Sequence, residues 1–173
     1  GALLVTEPVL LNPNRNPTYD RAAQAALFQR YLGTPEVIWL PTGLANDDTD
    51  GHVDNVARFF DAESVLCSTG EAQPELDQNR ALLAERFACV VELPLPEPVR
   101  LRGREFPASY ANFVVLNGAV FVPSFGQKKA DDRAAGILGE CFPSRKVEAI
   151  DCRLLLEEGG ALHCLTCNQP ISD

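Results

Sequence analysis

The chain has 173 residues, of which 46% are hydrophobic and 23% are charged, as in an ordinary globular domain rather than a disordered segment. Its formal net charge of −9 disfavours nucleic acid or an anionic membrane as a partner and is compatible with a small cationic ligand. No apolar run reaches the roughly 20 residues of a membrane helix, and nothing marks the protein for export. We therefore expect a cytoplasmic protein without a membrane or nucleic-acid partner.

Strand, turn and helix signals recur three times in the same order along the chain. Each copy predicts two strands, a helix and one more strand. The predicted strands are 2–6, 9–13 and 36–41, then 56–60, 65–69 and 89–94, then 112–116, 120–124 and 146–151. The predicted helices lie in 18–33, 74–87 and 130–142, with Thr18 as the N-cap and Gly33 as the C-terminal stop of the first. Asn117-Gly118 predicts a hairpin turn in the third copy.

The repeated unit is thus ββαβ, which predicts an α/β fold in a single domain. The three units run roughly over 2–41, 54–94 and 111–151, and a loop at 152–173 follows the last one. Residues that can carry chemistry are concentrated in the connections between units, where function usually resides on a repeated scaffold.

The cysteines divide into two groups. Those in apolar segments are expected to be buried free thiols in a reducing compartment: Cys67, Cys89, Cys141 and Cys152. Cys164 and Cys167 form a CxxC sequence, which is also found in redox pairs and in zinc sites. Since the chain has no second CxxC, a zinc site is the less favoured interpretation.

The first connection contains DDTDGHVDN, which crowds acidic residues around His52 and Asp54, and the third contains His163 and Cys164. If the units are related by rotation, His52 and Cys164 face one pocket. A thiolate can act there as a nucleophile while His52 moves protons. Asp54, two residues beyond His52 on an extended chain, would then bind a planar, forked cation such as a guanidinium.

The second connection carries three arginines, Arg100, Arg102 and Arg104. They lack interleaved aromatic residues, so we interpret them as a solvated or interface loop rather than a nucleic-acid site.

Several motifs together resemble the agmatine deiminase and peptidyl-arginine deiminase-like family of guanidine-modifying enzymes: LLNPNRNP, VIWLPTGLA, DDTDGHVDNVARF, LPLPEP, YANFVVLNGAVFVPSFG and GGALHCLT. The resemblance covers essentially the whole chain. It implies the pentein fold, a five-bladed α/β propeller of ββαβ units. It also implies hydrolysis of a guanidinium through a covalent thiouronium on cysteine, with no metal or organic cofactor.

By this resemblance Cys164 matches the nucleophile, His52 the general acid/base and Asp54 a carboxylate that binds the guanidinium. Asp48 and Asp50 fall in the acidic part of the same motif, where they would line the entrance or fix the loop. Turn formation by aspartate is the alternative for these two residues. His163 is interpreted as a packed or hydrogen-bonded neighbour rather than a second base.

The sequence departs from the family in two respects. Ala161 stands where the family has a glycine, which would tighten the backbone near the nucleophile. The chain also begins where the family's C-terminal half begins and contains no methionine, so we expect about three of five blades and a piece of something longer.

The expected reaction is conversion of agmatine, a small cationic guanidino substrate, to N-carbamoylputrescine and ammonia. The alternatives are peptidyl-arginine deiminase activity, a non-catalytic piece that needs an N-terminal half or a homo-oligomer, and a CxxC redox or zinc module.

Overall fold

The structure is a computed structural model that describes residues 1–167. Its helices are α1 (Glu7–Leu10), α2 (Arg21–Leu32), α3 (Leu76–Ala84) and α4 (Lys128–Cys141). Its strands are β1 (Ala2–Thr6), β2 (Glu36–Leu40), β3 (Ala57–Phe59), β4 (Ser64–Thr69), β5 (Cys89–Pro94), β6 (Val99–Leu101), β7 (Arg104–Phe106), β8 (Val114–Leu116), β9 (Ala119–Ser124) and β10 (Lys146–Asp151). Three 3-10 turns cover Val53–Asn55, Leu154–Glu158 and His163–Leu165.

Parallel strand pairs joined by a helix form the repeated part of the fold. β1 pairs with β2, β4 with β5 and β9 with β10, and α2, α3 and α4 make the three connections. In the second and third sheets an antiparallel strand is added on the other side, giving the orders β3-β4-β5 and β8-β9-β10. The predicted ββαβ order is therefore confirmed for these two sheets.

The predicted strand at 9–13 is wrong. Val9 and Leu10 lie in α1, where Pro8 occupies the first turn. Proline suits that position because its fixed φ is helical and its missing N–H would have no intrahelical partner there. Within residues 1–167, the first sheet consequently contains only β1 and β2.

Two other local predictions have opposite outcomes. The N-cap of α2 is Asp20 and not Thr18, because the Asp20 carboxylate accepts a hydrogen bond of 2.8 Å from the backbone N–H of Ala23. The Asn117-Gly118 hairpin is confirmed: β8 and β9 pair up to Leu116 and Ala119, and Gly118 has a φ of 88°.

The side chains of β4 alternate between two hydrophobic clusters, as the period of a strand requires. Val65 and Cys67 pack in a cluster with β2 and α3, whereas Leu66 packs in a second cluster with β9 and α4. All three are fully buried. The second sheet is therefore held from both faces, and its β3 edge leads directly back to the 3-10 turn at Val53–Asn55.

The predicted burial of the cysteines is only partly confirmed. Cys67 and Cys152 are buried, but Cys141 is half-buried and Cys89 is exposed. Cys89 opens β5, which lies at the edge of its sheet, so the apolar run around it does not enclose it. These four residues are free thiols.

Among residues 1–167, no helix has the length and apolar character needed to cross a membrane.

Candidate active site

The acidic loop is folded by its own aspartates. Asp47 accepts hydrogen bonds from the backbone N–H and the hydroxyl of Thr49, at 2.8 and 2.7 Å, and a third from the Asn55 side chain at 3.2 Å. Gly51 lies so close to Gly43 that a Cβ on either would come within about 2.6 Å of the other's Cα. The high density of aspartate therefore builds a tight turn that leads into the site.

Asp48 and Asp50 pair with arginines at the surface. The Asp48 carboxylate lies 3.4 Å from Arg104, and that of Asp50 lies 2.9 Å from Arg15. No hydrogen bond or ion pair within residues 1–167 joins either aspartate to Cys164. Both pairs connect the acidic loop to other segments, which agrees with the loop-fixing role expected from the sequence.

The 3-10 turn at Val53–Asn55 turns Asp54 and Asn55 inwards, where they are 9% and 8% exposed. The backbone carbonyl of Asn55 accepts hydrogen bonds from Ser68 and Ser109, at 3.0 and 2.7 Å. The extended conformation predicted between His52 and Asp54 is therefore wrong. The 3-10 turn begins immediately after His52, so the period-two alternation that would direct both side chains to one side does not apply.

A glycine turn places the cysteine. The chain leaves the 3-10 turn at Leu154–Glu158 through Gly159, whose φ is 89°. A Cβ at Gly160 would lie 2.6 Å from both the Cβ and the Sγ of Cys164, so no larger residue fits there without moving the thiol. Ala161 does not have a positive φ and is buried, so its backbone conformation does not require a glycine.

The side chain that joins these two loops is Asn112, which is fully buried. Its amide nitrogen lies 3.1 Å from the Cys164 Sγ, from Asp54 Oδ2 and from Asn55 Oδ1. Its amide oxygen accepts hydrogen bonds from the backbone N–H groups of His163 and Cys164, at 2.9 and 3.3 Å. The Asn112 carboxamide thus contacts the thiol, the carboxylate and the backbone of His163 and Cys164.

Asp54 and Cys164, both expected at the site from the sequence, lie next to each other in the structure. The Cys164 Sγ lies 3.5 Å from Asp54 Oδ2, and the same oxygen lies 2.7 Å from Nδ1 of His163. The other oxygen, Oδ1, is buried and has no hydrogen-bond donor among residues 1–167. A buried carboxylate oxygen without a donor is costly, and it is suited to an N–H group supplied by a ligand.

The surroundings shift both titrating groups. Burial would raise the pKa of Asp54, but the hydrogen bond and charge of His163, with smaller effects of Cys164 and Arg58, lower it overall. Partial burial of the thiol and the neighbouring Asp54 carboxylate raise the pKa of Cys164, against the hydrogen bond from Asn112. The resting site therefore favours an ionised carboxylate and a protonated thiol.

The two histidines differ in their contacts. His163 hydrogen-bonds Asp54, so the structure agrees with its interpretation as a hydrogen-bonded neighbour. His52 precedes the 3-10 turn and is half-buried, but no hydrogen bond within residues 1–167 joins its ring to Asp54 or Cys164. The predicted role of His52 therefore stays a prediction.

Sequence reasoning gave no role to Asn112 or Arg58, although both lie within the motifs that carry the family resemblance. The signal that could have identified them is a polar residue within an apolar segment, Asn112 in SYANFVV and Arg58 in VARFF.

Cys167 is exposed, and no three His, Cys, Asp or Glu residues among 1–167 are grouped to hold a metal ion. The last residues of the predicted nucleophile loop, 168–173, lie outside the described part of the chain.

The family model described as Porphyromonas-type peptidyl-arginine deiminase matches residues 1–170. The chain belongs to this family. Similar proteins include the agmatine deiminase of Medicago truncatula, 35% identical over 98% of this chain, and that of Ectopseudomonas mendocina, 34% identical over 98%. The matched part is 54% of each relative, so the chain spans about half the length of the curated relatives it matches.

Solved structures of the family have the same architecture. A substrate-bound C. jejuni agmatine deiminase with a cysteine-to-serine substitution is 32% identical and has a TM-score of 0.88, covering 94% of this chain and 50% of that one. An Enterococcus faecalis agmatine deiminase is 28% identical with a TM-score of 0.87, covering 94% and 52%. The mixed α/β fold of small sheets is therefore that of agmatine deiminase structures.

The lowered pKa of Asp54 predicts how Asp54→Asn alters acid stability. Since the folded-state pKa is below the unfolded value, ionised Asp54 contributes stability that is present above about pH 4 and is lost as pH falls through the folded pKa. We expect the unfolding free energy of the parent chain minus that of Asp54→Asn to decrease by on the order of 1 kcal/mol between about pH 5 and pH 2. Urea unfolding of both proteins at a series of pH values measures this difference in unfolding free energy.

The variant Asp61→Asn controls for the loss of one carboxylate at the surface. A difference between the parent chain and Asp54→Asn that stays constant or increases on acidification would contradict the charge arrangement described for Asp54.

Proposed function

We propose that this chain carries the nucleophile-bearing half of a deiminase that hydrolyses the guanidinium group of agmatine to N-carbamoylputrescine and ammonia. The observation that carries the proposal is the part-buried contact of the Cys164 thiol with the Asp54 carboxylate, 3.5 Å apart and bridged by Asn112. The names of the similar proteins favour agmatine over peptidyl arginine as the substrate. The product would then serve polyamine synthesis as a precursor of putrescine.

Asp54 is the proposed guanidinium ligand. Its Oδ1 lacks a donor among the described residues, and a guanidinium presents two parallel N–H groups that match a carboxylate. Such a cation would also lie beside the thiol, since both contact Asp54. Its charge would lower the pKa of Cys164 and so offset the burial and the carboxylate that raise it in the resting site.

The proposed reaction has two halves. The Cys164 thiolate attacks the central carbon of the guanidinium and forms a C–S bond. The bond from that carbon to one terminal nitrogen then breaks, and the nitrogen takes a proton and leaves as ammonia. Water, losing a proton to a base, adds to the carbon of the remaining thiouronium. The C–S bond then breaks as the added hydroxyl loses its proton to a base and becomes the ureido carbonyl, which restores the thiolate and releases the product.

A histidine is required for these proton transfers because its pKa is near neutrality. We assign this role to His52, which directly precedes the 3-10 turn that carries Asp54 and which the family resemblance matches to the general acid/base. We assign to His163 the role of pairing with Asp54 when no guanidinium is bound.

The three helix-connected sheets are the proposed blades of a five-bladed α/β propeller. Their units run roughly over 2–41, 54–94 and 111–151, followed by the nucleophile loop. Because the chain spans about half of its relatives, the remaining blades and further substrate contacts would come from an N-terminal half or from another copy. We therefore expect turnover to depend on that addition.

The thiol assignment predicts different effects at the two cysteines of the CxxC. In a chain extended at its N-terminus and supplied with agmatine, Cys164→Ala should lower ureido formation by at least about 1,000-fold, because no thiouronium can form. Cys167→Ser should retain most of the activity. A colorimetric ureido assay measures both, with an arginine peptide as the second substrate. Turnover that survives Cys164→Ala would contradict the proposal.

The histidine assignment predicts unequal effects of His52→Gln and His163→Gln. We expect His52→Gln to lower kcat by about 100-fold or more, because proton transfer is lost. His163→Gln should mainly change KM, by less than about 10-fold, because it removes a competitor for Asp54. Steady-state kinetics on the extended chain measure both. A larger loss of kcat in His163→Gln than in His52→Gln would contradict this assignment and indicate that His163 carries out the proton transfer.

A further inference from the structure

Arg58, on β3, has unusual contacts for a charged residue. Its Nη1 donates hydrogen bonds to the backbone carbonyls of Ala111 and Phe113, at 3.1 and 2.8 Å. Its guanidinium also lies 4.6 Å from the centroid of the Phe113 ring. No carboxylate oxygen among residues 1–167 lies within 4.0 Å of it, so its charge is held by carbonyl dipoles and an aromatic face instead of a salt bridge.

The two carbonyls that Arg58 binds flank Asn112. The Ala111 carbonyl belongs to the peptide group that precedes Asn112, and the Phe113 carbonyl belongs to a peptide group one residue beyond the one that follows it. Arg58 thus anchors the backbone on both sides of Asn112 and limits its freedom. The Asn112 carboxamide then meets the Cys164 Sγ and Asp54 Oδ2 at 3.1 Å. Arg58 therefore anchors the backbone segment that presents Asn112 to the thiol and the carboxylate.

The positive charge of Arg58 also interacts with this pair through space. Burial lowers the pKa of Arg58, and the negative charges of Asp54 and of ionised Cys164 act in the opposite direction. Arginine stays protonated in proteins even when its pKa is lowered. Its field favours the ionised forms of both neighbours, and it is weakly screened because the group is largely removed from water.

We propose that Arg58 is a positioning residue of this site, which holds Asn112 against the Cys164 thiol and supplies a fixed positive charge that favours the thiolate. Its value for catalysis rests on the proposed function, whereas its effect on the thiol does not. The groups that face this thiol are Asp54 from the 3-10 turn, Asn112 from the segment before β8, His163 from its own loop, and Arg58 from β3.

The test is the pH dependence of Cys164 alkylation by iodoacetamide in the 173-residue chain, with the modified peptide quantified by mass spectrometry. Because only the thiolate reacts, the midpoint of this profile reports the pKa of Cys164. The variants are Arg58→Gln, which keeps hydrogen-bond donors and loses the charge, and Arg58→Lys, which keeps the charge. Arg86→Gln, which breaks a surface pair with Glu36, is the matched control.

We expect Arg58→Gln to raise the midpoint by about half to one pH unit, which lowers the alkylation rate at pH 7 about three- to tenfold. Arg58→Lys should remain within about 0.3 pH unit of the parent chain, and Arg86→Gln should match it. A profile of Arg58→Gln that coincides with the parent chain would overturn the proposal.

Folding of each variant is checked by its urea unfolding curve. If Arg58→Gln does not fold, Arg58→Lys decides, because a midpoint one pH unit higher in a folded protein that keeps the charge would also overturn the proposal. Alkylation needs no turnover, so this experiment succeeds or fails separately from the deiminase assay. In an active extended chain, Arg58→Gln should lower kcat at pH 7 by the same factor with little change in KM, and Arg58→Lys should restore it.

Discussion

The site depends on the hydrogen bonds of one buried carboxamide. Asn112 contacts the thiol of Cys164, the carboxylate of Asp54 and the backbone of the nucleophile loop, although these groups lie 51 to 58 positions away in the chain. A buried amide that lost these partners would cost about 1–3 kcal/mol for each unsatisfied group. This cost opposes any movement that would separate the two loops, which belong to different sheets.

The repeated sheets bring these loops to one place, and close backbone packing adjusts them. Gly43 and Gly51 touch beneath the acidic loop, and Gly160 leaves room for the Cys164 sulfur. The arrangement keeps a buried carboxylate oxygen without a donor and a thiol with a raised pKa. Both features are unfavourable in the resting protein, and a bound guanidinium would relieve both. This is why the geometry favours a cationic, forked ligand over a neutral one.

Much of the fold was predictable because it is local. Asn117-Gly118 specified the β8–β9 hairpin, and apolar periodicity specified α3 and α4. The strand predicted at 9–13 failed because Pro8 favours a helical turn there. The assignment of Asp54 and Cys164 to one site was predicted from the family resemblance. The roles of Asn112 and Arg58 were not, because they arise only when the tertiary fold sets these polar side chains against loops that are remote in sequence.

A double-mutant cycle between Asn112→Ala and Asp54→Ala tests the central claim most directly. The unfolding free energies of the parent chain, both single variants and the double variant give the coupling between the two side chains. A buried hydrogen bond between an amide and a carboxylate predicts a coupling of about 1 kcal/mol or more. Effects that add within about 0.3 kcal/mol would contradict the claim that Asn112 holds the carboxylate in place.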